Sequence, residues 1–575
     1  MKTIYRYIRP YGGVLILTLL LKLAAALLDL LIPSFLARII DDAVPSGDRM
    51  AIFRMGGVMV LCAVLSMLTN VTANRMAAQT SGKATRAVRH DLFEKLSMLS
   101  AKQLDDVSVP SAVSRLTTDT YNLNQMFSRI QRMGVRAPIL LVGGIFITFM
   151  MDAALTLVLL ATLPFIAVLI YMVTKKSIPL YTKQQGVLDN LVRTVQENIT
   201  GVRVIKALSK GRHEKERYDT VNLELADVEQ RAGNVMAVVN PATSLILNIG
   251  LTLVVLLGAW LVNAGRSSTG NIIAFLNYFT IILNAMLGIT RIFVMLSKGT
   301  ASAMRVEEVL MMEDAMPILP EKKKTNTPYH IEFRQVSFSY NKVADNLTDI
   351  SFALRQGETL GILGATGSGK TTIVNLMMRL YDADEGTILL DGRNIRTIPL
   401  EELHAMFGVV FQNDFIMADT MAENIRYFRD IPQERLELSA KDAQAWNFIS
   451  ATKEGLQHTA ATRGNNLSGG QRQRVLIARA LAGKPDILIL DDASSALDFR
   501  TDAMLRKALH EKYRETTAII IAQRISSIKG ADKILVLDDG RIIGAGTHEE
   551  LMTTNDVYRD IARTQMGLEG GGANE

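Results

Sequence analysis

Cysteine is almost absent: Cys62 alone stands among 575 residues, inside an apolar run. An intramolecular disulfide is therefore excluded, and a cysteine-held metal cluster has no ligands. A strong charge imbalance is also missing. Lys and Arg (63) exceed Asp and Glu (57) by only six, and the cations cluster in particular loops, so no nucleic-acid partner is expected. No small-residue cleavage site lies ahead of Lys22. The first apolar run is thus expected to remain as an anchor, with the Met1–Arg6 stretch before it reading as an interfacial elbow helix.

What the chain has in abundance is long apolar stretches. Hydrophobic residues make up 49% of it and mean hydropathy is +0.19, too apolar for a soluble protein of this length. The excess lies before residue 300. Runs at about 12–40, 53–74, 134–151, 154–174, 236–263 and 271–296 approach or exceed the ~20 residues that cross a bilayer; the third is short and needs its flanks. Lys2, Arg6 and Arg9 precede the first run, and the loops after runs two and four carry Lys83, Arg86, Arg89, Lys95 and Lys102, then Lys175, Lys176, Lys206, Lys210 and Arg212. The opposite loops are short and show Asp41, Asp42, Asp48 and Asp152. The cation bias predicts a multi-pass protein of the cytoplasmic membrane with both termini in the cytoplasm.

Polar residues inside these runs point to a bundle interior. Lys22 and Asp29 share a helix face, and Asn277, Thr280, Asn284 and Arg291 form a stripe in the sixth run. The stripe reads equally as a cavity lining or as hydrogen bonds between helices. Asp41 and Asp42, at the outer end of the first run, read either as a gate across the external mouth or as solvated surface.

The remaining half, nearly, is punctuated by motifs. Gly364-Ala365-Thr366-Gly367-Ser368-Gly369-Lys370-Thr371 fits GxxxxGK[ST], with Thr372 following: glycines let backbone N–H groups curl around phosphates, Lys370 reaches the terminal ones, and Thr371 holds magnesium. Leu467-Ser468-Gly469-Gly470-Gln471 places small residues and a hydroxyl at a helix start, where an anion binds well. Ile487–Asp491 reads as a buried strand ending in a carboxylate.

On these motifs the chain resembles the ATP-binding cassette family, over nearly its whole length. The resemblance implies ATP and Mg2+ as cofactors, with Thr371, Gln412 and, through water, Asp491 as magnesium ligands. It implies Tyr340 as the ring under adenine, Gln412 as the Q-loop residue and Asp498 in the loop that crosses a cassette dimer. It further implies that Ser468 and Gly470 close over nucleotide held by another cassette. The fold expected is a six-helix transmembrane bundle with long cytoplasmic helical extensions at 1–310, a linker at 311–328 containing Lys322–Lys324, an α/β P-loop nucleotide-binding domain at 329–566 and a disordered tail at 567–575. Coupling helices are expected near Asp106–Leu116 and Ser209–Tyr218.

Two residues depart from the family pattern. Asp492 stands where a glutamate polarises the attacking water, and Gln523 where a switch histidine belongs. Aspartate is one methylene shorter, and glutamine carries no positive charge. The catalytic positions Asp492 and Gln523 thus read as degenerate, which implies a second, non-identical half-exporter as partner. The expected activity is ATP-driven export of hydrophobic or amphipathic small molecules. A lipid or peptide exporter shares every motif, and a cassette-gated sensor is the alternative of another class.

Overall fold

The structure, a computed structural model, describes residues 2–313, 316–320, 325–412, 414–493 and 495–566, without the side chains of 2, 3, 290, 291, 293, 294 and 566. The Lys322–Lys324 run, the tail after 566 and the Arg291 side chain lie outside the described residues. The chain forms two compact units. One comprises the residues up to Ser97 with Pro110–Met311; the other comprises Met98–Val109 with the residues from Met312 onward.

The first unit is helical, and its elements and their neighbours run α1 Lys2–Ile8, α2 Gly12–Arg38, α3 Arg49–Ser97, α4 Ala101–Val107, α5 Val109–Ser114, α6 Thr120–Met133, α7 Arg136–Met151, α8 Ala153–Thr200, α9 Val202–Ala207, α10 Gly211–Ala237, α11 Val239–Asn263 and α12 Thr269–Leu310. Among the described residues, six helical stretches are long and apolar enough to cross a membrane. The third is continuous over Val109–Met151, so the short run gains its length from the flanks α5 and α6. Small residues allow close packing where lipid supplies no hydrophobic drive. Ala25 and Ala26 on α2 and Ala73 and Ala77 on α3 are fully buried where these helices pack together. A Cβ at Gly144 would lie 2.7 Å from Ile282 Cγ1, so α7 approaches α12 only because no side chain intervenes. Asp152, expected as a loop acid, caps α8 by accepting from the Ala154 and Leu155 amides at 2.9 and 3.1 Å.

Long-range polar clasps complete the bundle. Lys22 donates to Asn70 and Asn74 on α3. Asp119 is buried and accepts from Arg305 Nε at 2.9 Å and Ser302 Oγ at 2.8 Å, holding the far end of α12. Asp41 accepts from the Gly270 amide at 2.7 Å and from Ser268 Oγ at 2.5 Å. Both its oxygens are engaged within this chain, at the start of α12, while Asp42 is exposed. Tyr7 of α1 donates to Asp91 at 2.7 Å, tying the elbow helix to α3.

The second unit holds two sheets. β1 Ile331–Phe338, β2 Leu347–Leu354, β4 Glu385–Leu390 and β5 Arg393–Asn394 form an antiparallel sheet in the order β2-β1-β4-β5. Alternation along β1 slips at Gln335, which has φ +50° within a register shift. The other sheet runs β10-β9-β3-β8-β7-β6, from β3 Thr359–Gly364, β6 Phe407–Val410, β7 Ile487–Asp491, β8 Thr517–Ile521, β9 Lys533–Asp538 and β10 Arg541–Gly546, parallel except for β10. The buried runs 360–363 of β3 and 487–490 of β7, apolar or glycine throughout, suit strands covered on both faces. Helix α4 clusters with this unit, about five residues ahead of the expected Asp106–Leu116. Its start is fixed by a capping box between Ser100 and Gln103. On the later loop the short helix is α9, and Ser209 (φ +54°) ends it before α10 begins, so Ser209–Tyr218 is mostly the first turns of a long helix.

Candidate functional site

Parallel pairing sets the site. Ile362 of β3 lies opposite Ile521 of β8, and Ile521 opposite Asp491 of β7. The segments leaving all three strands therefore emerge at one sheet edge, where ligands bind in open α/β sheets. The loop after β3 leads into α13, Lys370–Met377, through Gly369 at φ +97°, a conformation that favours glycine. Lys370 Nζ donates to the Gly364 and Ala365 carbonyls at 2.9 and 2.6 Å. Ser368 is buried, and its Oγ has no partner among the described residues.

Thr371 Oγ1 donates to Asp491 Oδ2 at 2.9 Å. Burial pushes the Asp491 carboxyl above the usual range, Thr371 offsets part of this, and Asp492 adds to the rise. Burial likewise raises Asp492, with Arg524 and Lys370 pulling it back. Burial lowers Lys370, and the two carboxylates oppose that. Asp492 sits in the left-handed region at φ +50°, its amide donating to the Ile521 carbonyl at 2.9 Å.

A cavity of about 240 Å³ brings together Thr366, Gly367, Gly369, Lys370, Thr371 and Thr372 with Gln412, Asp491, Asp492 and Gln523. Gly364, Ala365 and Ser368 are not in its lining; Gly364 and Ala365 hold Lys370 by their carbonyls. Asn346, Ile521 and Ala522 line it too and were not read from the sequence; for the last two, the signal was the end of β8. Tyr340 is outside the lining but adjacent, its amide donating to Asn346 Oδ1 at 3.0 Å. Its hydroxyl accepts from Asn375 at 3.0 Å, and its ring meets that of Tyr381 edge-on at 5.0 Å.

Leu467, Ser468, Gly469, Gly470, Gln471 and Asp498 contribute nothing to this cavity. Ser468 caps α14, Gly469–Ala482, in a capping box with Gln471, and Ser468 and Gly469 are exposed. Asp498 caps α15, Phe499–Lys512, accepting from the Thr501 amide and hydroxyl at 2.8 Å each. Its carboxyl is held below the usual range by those bonds. Two glutamines that no motif marked join these parts. Gln473 donates to the Asp492 carbonyl at 3.4 Å and accepts from the Ala496 amide at 3.1 Å. Gln565 of α16, Asp556–Met566, donates to the Gln523 carbonyl and accepts from the Ile525 amide, each at 2.8 Å.

The donors fit a magnesium-bound nucleotide. An unpartnered Ser368 hydroxyl, a lysine held on loop carbonyls and the amides of a helix start suit phosphate oxygens. Thr371, Asp491 and Gln412 offer only oxygen ligands of the hard type magnesium takes, apart from the glutamine amide nitrogen.

Comparison with known proteins agrees with this geometry. Residues 15–286 match the model for the ABC transporter transmembrane region, and residues 347–495 match the model described as ABC transporter. An ABC transporter ATP-binding protein of Mycobacterium tuberculosis (strain CDC 1551 / Oshkosh) is 33% identical, covering 97% of each chain. An ATP-dependent lipid A-core flippase of Yersinia pestis is 30% identical, also covering 97% of each. The solved structure of a bacterial Atm1-family ABC exporter with ATP bound aligns over 99% of both chains at a TM-score of 0.81; at 24% identity this shows the fold.

Proposed function

The chain belongs to the ABC transporter family, a multi-pass ATP-driven exporter half, and from that premise we propose that it is the degenerate-site subunit of a heterodimeric exporter. Its cargo is hydrophobic or amphipathic small molecules of the multidrug type, moved across the cytoplasmic membrane, with both termini cytoplasmic. The domain limits remain 1–310, 311–328 and 329–566.

One observation carries the reading: Asp492 and Gln523 line the same cavity as Lys370 and Thr371. Binding groups and weakened catalytic groups thus share one pocket. Lys370 and the loop amides would hold phosphates, while Thr371, Gln412 and Asp491 would hold magnesium. Magnesium bound there would supply charge neutralisation on the phosphates. Asp492 is the group placed to accept a proton from attacking water, with its carboxylate drawn back by one methylene relative to glutamate. Loss of base assistance is worth about 10²–10⁴ in rate. Gln523 hydrogen-bonds phosphate without contributing charge. Ser468 and Gly470, exposed or half-exposed at the start of α14, serve the partner's nucleotide.

Nucleotide trapping on the purified complex tests this. Label at this chain's phosphate loop is expected to persist through several turnovers of the partner site; equal turnover at both sites sinks the asymmetric reading. Asp492→Glu is expected to restore hydrolysis only in part, and Asp492→Glu with Gln523→His to restore more. A lipid cargo is the second reading, favoured by the similarity to a lipid A-core flippase. A gating sensor would show nucleotide binding without vectorial flux.

A further inference from the structure

The bundle holds an open cavity of about 540 Å³ whose polar wall is Asp29 of α2, Arg132 of α6, Arg136 of α7, and Asn277 and Asn284 of α12. Ile32 and Leu140 belong to its apolar wall. Of the stripe on α12, Asn277 and Asn284 line the cavity and Thr280 does not; Asn277 spends its amide nitrogen on its own helix, at the Ile273 carbonyl, 3.0 Å away.

The charges around this cavity do not balance. Among the described residues Asp29 is its one carboxylate, and both oxygens are committed, one to Arg136 Nη2 at 2.7 Å and one to Ser66 Oγ at 2.6 Å. Arg132, one turn before Arg136, has no ion-pair partner among the described residues. The Nε atoms of Arg132 and Arg136 are buried without acceptors among the described residues. Lys22, on the same helix as Asp29 and within electrostatic reach of both arginines, bonds only neutral amide oxygens of Asn70 and Asn74. Three cations thus face one carboxylate at a depth where uncompensated charge is costly and marks a substrate path.

We propose that this cavity binds an amphiphile with an oxyanion head, a carboxylate or a phosphate monoester, with Arg132 as the residue that receives it. The inference rests on the export reading above and assigns the chemical class of its cargo. A planar guanidinium suits either oxyanion, and Arg136, held by Asp29, orients beside it. The apolar wall takes the start of the tail, and the volume is that of a drug-sized pocket. A cationic amphiphile of equal length meets like charge and is rejected.

The test is equilibrium binding of labelled dodecanoate, dodecyl phosphate, dodecanol and dodecyltrimethylammonium to the complex in nanodiscs, measured against empty nanodiscs. One or both anionic probes are expected to bind at least about tenfold more tightly than the cation, and the tighter of the two identifies the head group. Arg132→Gln is expected to remove that preference and leave dodecanol unchanged, whereas Arg132→Lys keeps most of it. Equal binding of anion and cation, or a preference that survives Arg132→Gln, overturns the proposal. If Arg132→Gln does not assemble, the head-group series on the unaltered complex decides alone. ATP-driven movement of dodecyltrimethylammonium without anion binding discards the anionic class and leaves the export reading standing. Anion binding that depends on Arg132 without ATP-driven movement of any probe supports the site and counts against export.

Discussion

The nucleotide pocket and the bundle cavity are built on opposite plans. In the nucleotide pocket the geometry comes from backbone: three strand ends in register, a glycine-led turn and a helix start, with Lys370 facing Asp491 and Asp492. In the bundle cavity no main-chain group defines the site, and its character rests on a few side chains, Arg132 and Arg136 against Asp29. The difference teaches where each site tolerates change. On the proposed reading, a pocket framed by backbone keeps its ligand whatever Asp492 and Gln523 do to the chemistry, whereas a cavity framed by side chains is expected to change its preference when one arginine is replaced.

The strongest way to break that comparison is to attack the exposed helix start rather than the pocket. If Ser468 serves a partner's nucleotide, Ser468→Arg puts bulk where its γ-phosphate lies and removes the cap that Gln471 uses at 3.2 Å. Steady-state ATPase of the complex is expected to fall by at least about 100-fold, on the scale of losing a main electrostatic contact. Asp492→Ala is expected to cost far less, a few-fold. An Asp492→Ala loss as large as that of Ser468→Arg, or rapid hydrolysis by this chain alone, makes the two sites equivalent and ends the asymmetry.

Sequence legibility divided along the same line. Phosphate loop, β7 and the cap residues are local, each within about a dozen residues, so spacing alone placed Lys370, Thr371, Asp491 and Ser468. The six apolar stretches were equally readable, because span length is set by the bilayer. What stayed hidden were contacts between positions far apart in the chain: Asp41 with Ser268 and Gly270, Asp29 with Arg136, Gln565 with Gln523. Asp41, readable from the sequence either as a gate or as solvated surface, bonds the start of α12 within this chain, and Asp152, readable as a loop acid, caps α8. The start of α4 was not legible because its capping box, Ser100 with Gln103, lies ahead of the amphipathic stretch at Asp106–Leu116.

A middle-sized effect sharpens the side-chain half of the comparison. Asp119 holds Arg305 and Ser302 from a buried position, and Asn122 donates to Ser302 at 3.0 Å. Asp119→Ala strips charged hydrogen bonds from that network at a cost of about 1.5–3 kcal/mol. The melting midpoint of the detergent-solubilised protein is expected to fall. Arg305→Lys, which keeps the charge and loses the fork, is expected to fall less. No change for Asp119→Ala would mean that solvent replaces the network without loss.

The smallest expected effect concerns how nucleotide occupancy leaves the pocket. Tyr340, beside the cavity, meets Tyr381 edge-on at 5.0 Å, and the Tyr381 hydroxyl donates to Asp105 of α4 at 2.5 Å. Helix α4 clusters with the nucleotide-binding unit although the chain on either side of it belongs to the bundle. Two aromatic rings and one hydrogen bond thus link the ring expected under adenine to the segment that continues into α3 and α5. Tyr381→Phe keeps the ring packing and deletes only the bond to Asp105, an exposed carboxylate, so the loss is about 1 kcal/mol. ATP affinity is expected to stay within about twofold, while the stimulation of ATPase by transported compound falls a few-fold, in line with that energy. Tyr381→Ala, which also removes the ring against Tyr340, is expected to weaken ATP binding as well. If Tyr381→Phe shifts ATP affinity and leaves stimulation intact, the hydroxyl supports the pocket and carries no signal to α4.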